Sequence, residues 1–394
     1  MAPPTLWPVP PDWNNGVRES LAWLTEILQA PITGTAQHRR LRISPRRRFV
    51  FDVIAAGQER RIADALLADR GAAQWLLPIW PDIQCLGAPV AAGAVQIPCR
   101  TAGFDFAAGR SALLWTGVRT WEIVQVQSVA ATHLALAGPV QAAWPRGARL
   151  YPLRLARLDD AQDKSWTDDA GTSAISFAID EPCDWPAELP ASVYLGRPVL
   201  EDRPDWADDV PMSYARITDQ VDAETGPIAR FDLAGVSLRS TSHARQIWGR
   251  TEHAAFRSRL YALQGRGVPV WVPSWRNDLR VVAPISAAVT AITVEYAGYT
   301  QYGRQQPNRR DIRIQLVDGR VFYRRITASA ELGDNETLGI DQPLGVAVNP
   351  GQVMLVSYLV LSTLASDEIE IFHVTDADGA ATAKLPFQAV VPDV

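Results

Sequence analysis

The sequence predicts a mainly β protein with minor α content, built as two tandem copies of a β-sandwich- or barrel-like unit, each with one packed helix. Three observations carry this. Short stretches recur in the same order about 193 residues apart. Most segments alternate apolar and polar residues between Gly, Pro, Asn and Asp, as half-buried strands do. Each copy holds one stretch with a clear helical apolar face that stops at a glycine.

The recurrence begins with "PPDWNNGVRESLAWLTE" (Pro10 to Glu26), which matches "RPDWADDVPMSYARITD" (Arg203 to Asp219). Collinear matches follow: Glu59 with Glu252, Leu66 with Leu260, Gly71 with Gly265, Pro78 with Pro273, Trp80 with Trp275, Pro139 with Pro343 and Gly147 with Gly351. The spacing drifts from 193 to 204 as loop lengths differ. It far exceeds the period of roughly 20–50 residues found in solenoids. The expected boundaries are an N-terminal arm at 1–10, copy one at 11–192, a linker at 193–203 and copy two at 204–394 with a C-terminal hairpin.

Each copy opens with a Pro-Asp-Trp turn, where Asp12 or Asp205 suits a turn or helix cap. Val17, Leu21, Leu24 and Leu28 then fall at helical spacing and predict a short helix; Pro211 shortens or removes it in copy two. A strand follows, in which Phe49, Phe51 and Val53 alternate with Val50, Asp52 and Ile54. Next comes the strongest helix, faced by Ile62 and Leu66 in one copy and by Phe256, Leu260 and Leu263 in the other. Gly71 and Gly265 stand where a capping glycine belongs.

Short strands fill the rest, among them "RSALLWTG", "WEIVQVQSV", "HLALAG" and "IRIQLVDGRVFYRRIT", the last turning at Asp318-Gly319. The acidic stretch from Asp159 to Asp169 reads as a solvated loop. "SAISFAI" (Ser173 to Ile179) lies 194 residues before "DEIEIFHV" (Asp367 to Val374), which makes these the matching last strands of the copies. Copy two adds a hairpin around Asp378-Gly379.

Composition sets limits. Apolar residues make up 47% and charged residues 21% of 394, enough for two ordinary cores. A net charge of -5 argues against a dedicated nucleic-acid binder. Trp (14) outnumbers Phe (10) and Tyr (9), an order that points to heavy burial or large contact surfaces. The N-terminus lacks a basic region followed by an apolar run, so no signal peptide is expected. "VMLVSYLVLSTL" is too short to span a bilayer and reads as a buried strand. Cys85, Cys99 and Cys183 fit free thiols of a reducing cytoplasm, and whether Cys85 and Cys99 pair stays open.

No catalytic, cofactor-binding or metal-binding residues emerge. His38, His133, His243, His253 and His373 are scattered singly, outside any metal-ligand or nucleophile–base spacing. Neither the Asp159–Asp169 stretch nor "DADG" at Asp376 to Gly379 has the remaining ligands of a calcium loop. The basic run from His38 to Arg48 is the one surface candidate. Arg39, Arg40, Arg46, Arg47 and Arg48 read first as a solvent-facing sheet surface, next as a candidate protein interface and last as a nucleic-acid contact. The residues shared between copies are Trp13/Trp206, Pro78/Pro273, Trp80/Trp275 and Gly71/Gly265, a pattern that keeps a fold and not a reaction.

The succession "ITGTAQHRRLRISPRRRFVFDV", helix, "WLLPIWPD", then "WEIVQVQSVAATHLALAGPVQAAWPRGARLYPL" resembles the β-sandwich units of distal-tail and baseplate proteins at the tail tip of long-tailed (siphovirus-type) bacteriophages. It covers most of copy one and, more faintly, copy two. Many distal-tail proteins carry one such unit with a different peripheral domain, and the duplication departs from that. The resemblance implies a structural virion protein without enzymatic activity, made in the host cytoplasm. It would form a ring at the distal end of the tail and join the tail tube to the baseplate hub. Its implied partners are itself, the tail tube protein and the hub or tail-tip proteins, with no membrane, no specific nucleic acid and no cofactor. A trimer is favoured over a hexamer, because three double-unit chains place six similar units between a sixfold tube and a threefold hub. The runner-up is a receptor- or carbohydrate-binding virion protein that uses exposed tryptophans. A glycan-degrading enzyme would need paired carboxylates, which the sequence does not locate.

Overall fold

The computed structural model describes residues 4–30, 32–70, 74–206, 209–375 and 379–391. The first half contains β1 (Thr5–Leu6), β2 (Val17–Gln29), β3 (Ala36–Ala56), α1 (Gly57–Arg70), β4 (Gln74–Pro78), β5 (Gln84–Cys85), β6 (Gln96–Pro98), β7 (Ser111–Gly117), β8 (Thr120–Val129), β9 (His133–Leu136), β10 (Arg149–Trp166) and β11 (Ala170–Ile179). After β12 (Val193–Tyr194) and β13 (Arg197–Pro198) come β14 (Met212–Val221), β15 (Ala229–Ile247), α2 (Gly249–Leu263), β16 (Val270–Pro273), β17 (Ala291–Glu295), β18 (Asp311–Leu316), β19 (Val321–Leu332), β20 (Asn335–Ile340), β21 (Val353–Leu364), β22 (Glu368–His373) and β23 (Ala381–Ala389). The fold is mainly β with few helices, as the sequence implies.

One pairing scheme runs through both halves. The β2–β3 hairpin is matched by β14–β15, and the hairpin's second arm pairs in each case with a late strand, β3 with β11 and β15 with β23. The strand following the helix pairs with the long return strand, β4 with β10 and β16 with β21. That return strand also pairs with the next meander, β10 with β7 and β21 with β18. Details repeat too. Pro78 stands opposite Leu153 and Pro273 opposite Leu359. The Asp12 amide donates to the Asp52 carbonyl at 2.7 Å, and the Asp205 amide donates to that of Ala244 at 2.8 Å.

Within residues 193–203, expected as a linker, Tyr194, Val199 and Leu200 are buried. Val199 bridges in parallel to Trp271, as β1 runs parallel to β4, and both Val199 and Trp7 are fully buried. The N-terminal arm therefore has a counterpart in that stretch.

Several local expectations are corrected. Residues 17–29 form a strand, because Val17, Glu19, Leu21, Trp23 and Thr25 alternate inward with period two. The helical spacing misled because Val17 and Leu21 also share a strand face, whereas Leu24 and Leu28 are exposed. The matching stretch of the second half is the strand β14. Of the acidic stretch, Asp159, Asp160 and Asp163 continue β10, and Asp168 and Asp169 lie in the turn to β11.

The matching of "SAISFAI" with "DEIEIFHV" is also overturned. β11 occupies the place of β23, not of β22. Ala156 of β10 pairs with Ile179 and Trp166 with Gly171. In the second half Ser362 of β21 pairs with Ala389, and His373 of β22 with Ala381. The single strand β10 thus corresponds to β21 and β22 together, broken at 365–367. Gly71 and Asp376–Asp378 lie outside the described residues. At the second helix the left-handed residue is Gln264, with Gly265 after it at φ +62°.

Burial follows the halves but crosses between them. One core gathers β3, β4, β11 and α1 around Trp7, Trp75 and Phe177; a second lies among β6 to β9. In the second half Ile312, Ile314 and Leu338 fill the small-sheet core. The core under α2 contains Phe256, Leu260 and Phe387, and Leu21 and Trp23 of β2 enter it from the first half.

Candidate functional site

The joint between the halves holds a network of buried charged side chains. The break in the return strand frees β22 to pair with β2, Val17 opposite His373 through Ala22 opposite Glu368. β22 also pairs with β23, so one sheet continues across the joint.

At its centre Glu19 is fully buried, the one carboxylate on the inward face of β2. Arg257 of α2 donates to its two oxygens at 2.8 and 3.1 Å, Arg47 of β3 donates through Nε, and His373 Nε2 lies 2.8 Å away. Burial alone would raise the Glu19 carboxyl, but Arg257, Arg47 and the His373 hydrogen bond hold it well below the usual carboxylate range. Arg47 continues to Asp105, which Arg154 also clamps through two nitrogens. Arg154 reaches Glu181 at 3.2 Å. The Asp105 amide donates to Asp82, whose other oxygen accepts from Arg250 of α2 at 2.6 Å.

Arg257 also lies 4.8 Å over the Trp185 ring. The His253 ring lies tilted against His373 with centroids 5.2 Å apart, and neither of its nitrogens has a partner among the described residues. Burial pushes His253 well down, and Arg257 adds to this. Burial pushes His373 down as well, against the pull of Glu19. A chain of alternating charges thus fastens α2 and β22 to the first half.

A second contact uses the sequence's basic run. Arg40 donates to Gln264 at 3.0 Å and His38 to the Arg266 carbonyl at 2.8 Å, so the β2–β3 arm grips the turn after α2. Asp367 accepts from the Thr25 amide and from Arg266, closing the same contact. Arg39 pairs with Glu26 and Arg48 with Asp159 on exposed surface, and Arg46 is exposed. Arg47 alone turns inward. The five arginines expected to share one surface are thus split among joint, strand face and core. The arm's turn at Gly34 sits against Ile217 and Ala234 of the second arm.

The second half holds a cleft of about 260 Å³ lined by Tyr214, Arg239, Arg276, Asn308, Arg309 and Tyr358, among others. Arg239 takes the place of Arg47: each stands ten residues before the glycine that opens the helix, opposite Tyr214 and Leu21 respectively. Two residues before those partners stand Met212 and Glu19. Arg239 is buried yet lies in no ion pair among the described residues. Its one hydrogen bond goes to the Val272 carbonyl, and its Nε is unpartnered. Burial pulls it down to about 10, with Arg276 and Arg309 repelling it and Asp278 partly compensating.

The shared tryptophans and prolines are structural, but unequally so. Trp80 is buried 5.1 Å from Tyr151, and Trp275 is buried at φ +58° beneath Arg203 and Arg313. Trp13 packs against the first core while Trp206 is 53% exposed. All three cysteines are free. Among the described residues, no group of three or more His, Cys, Asp or Glu could hold a metal, and no helix is long and apolar enough to cross a membrane.

Sequence reasoning passed over Glu19, Asp105, Arg154 and Arg257 and read the histidines as isolated. Glu19 had a legible signal, a carboxylate between Val17 and Leu21 on an apolar strand face. No known family model matches the chain, and no curated protein matches it.

Proposed function

We propose that the chain is a structural, self-associating protein of a phage tail tip, one that joins the tail tube to the hub and transmits load without catalysing a reaction. The observation that carries this reading is the joint itself. Two units with one pairing scheme, which we take to descend from a duplication, are locked in fixed register by a continuous sheet and a buried charge chain. Such a joint suits a part that must hold its shape, since a buried charge network tolerates only the arrangement that pairs it. The resemblance of the first half to distal-tail units supplies the setting, and three chains with six units remain the favoured ring.

The receptor-binding reading keeps some support from Trp206 and Trp248, which are 53% and 68% exposed. Labelled antibody against the chain on purified virions tests the placement. Label at the distal tail end supports it, and virions free of the chain overturn it.

A further inference from the structure

The strand edge and the inward arginine by which the first half holds the second recur in the second half without the partners they have in the first, among the described residues. The outer edge of β2 pairs with β22; the outer edge of β14, its counterpart, pairs with no strand among the described residues. Arg47 is neutralised by Glu19 and Asp105, whereas Arg239 has no ion pair among the described residues and chiefly Asp278 to offset the other arginines of its cleft. The first arm's turn rests on Ile217, while the second arm, 212–221 with 229–232, is exposed along nearly its whole length.

The first half carries the matching receivers, also open. The distal part of β10, residues 160–166, corresponds to β22. Past Arg157, which closes its pairing with β4, its outer edge pairs with no strand among the described residues. Leu24, at the position of Ile217, is 45% exposed. The chemistry is complementary. The receiving strand carries Asp160 and Asp163 beside Lys164 in sequence, against Arg239, Arg276 and Arg309 with Asp278 at the cleft. Met212 and Trp166 replace the buried pair Glu19 and His373 at the corresponding register positions.

We propose that the β14 edge and the arginine cleft take the acidic strand 160–166 of a second copy of this chain, so that the joint made within one chain repeats, head to tail, between chains. The contact specifies the self-association part of the proposed function and does not depend on the tail-tip placement. Being heterologous, it closes into a ring or runs on as a filament. Copying the register of Leu21 with Ile369 sets Tyr214 opposite Ala161 of the neighbour.

The test uses the full chain and two double variants. Arg276→Glu with Arg309→Glu spoils the cleft face; Asp160→Arg with Asp163→Arg spoils the strand face. By light scattering over a concentration series, the unaltered chain should associate, and each variant should stay at single-chain mass. Their equimolar mixture should form a two-chain species, because each keeps one sound face. An unaltered chain that stays single at all concentrations overturns the proposal, as do variants that associate like the parent or a mixture that gives no two-chain species. Independently of how the variants fold, a chain carrying Tyr214→Cys and Ala161→Cys should form interchain disulfides on oxidation, with neither single substitution doing so. Absence of that cross-link also overturns it. Antibody labelling of virions can fail without changing any of these masses, so the two readings fail separately.

Discussion

Replacing Glu19 by methionine, the residue at the corresponding place in the second half, tests the joint at its centre. Glu19 is fully buried and accepts from Arg47, Arg257 and His373. Without it Arg47 keeps Asp105, but Arg257 loses its only carboxylate partner among the described residues. What remains to Arg257 is the Trp185 face, and such cation–π contacts contribute about 0.5–2 kcal/mol. Removing one side of a buried ion pair costs about 3–5 kcal/mol, since the other charge stays buried and unmatched. The expected loss is therefore about 4 kcal/mol, measured by urea unfolding with tryptophan fluorescence and far-UV circular dichroism. The parent should show coincident probes, and the variant should separate them as the halves uncouple. A loss within about 0.5 kcal/mol, the scale of an ordinary surface substitution, would refute the reasoning.

Acid should weaken the fold early. Burial pulls His243 down to about 4, with Arg239 and Arg245 adding to it, and His253 and His373 are lowered as well. The unfolded chain therefore takes up protons near pH 6.5 that the folded state refuses. Stability is full above about pH 6.5 and falls toward pH 4, by about 3 kcal/mol for His243 alone. His243→Phe, which copies Phe51 at the matching place, should flatten melting temperature against pH over that range, and an unchanged slope would discount His243. Gly265→Ala should cost more than about 1 kcal/mol in the same urea assay, because its Cβ would stand 2.5 Å from Asp367 Oδ1 at φ +62°; a neutral result would mean the turn gives way freely. With a thiol reagent in the native state, Cys85 should react first. Cys99, pushed up to about 11 by burial, should be slow, and buried Cys183 should wait for unfolding. Equal rates would contradict that order.

The architecture was legible where local chemistry and tertiary need agree. Phe49, Phe51 and Val53 alternate and are buried, the two helices stand where their apolar faces lie, and Asp318-Gly319 turns a hairpin. Legibility failed where one pattern fits two periods. Val17 and Leu21 satisfy both, and only the inward Glu19 and Trp23 show the strand. It failed again at β22, whose sequence looks like β11 because alternating strands resemble one another; pairing alone reveals the broken return strand. The joint could not be read because its charges come from β2, β3, β10, α2, β22 and the loops holding Asp82 and Asp105. Each is unremarkable alone, and what makes them a site is a juxtaposition of residues up to 354 positions apart. Arg47 shows the limit most plainly, since in sequence it is one arginine in a run, and the pleat alone decides that it points inward.

The most direct test of the self-assembling, load-bearing role is the mass of the native assembly, taken by native mass spectrometry of the full chain at assembly-competent concentration. A closed species of three chains is expected, with dissociation through two-chain intermediates that keep one head-to-tail contact. A chain that remains single at every concentration, or a ring of six chains, would contradict the reading that two units per chain build the ring.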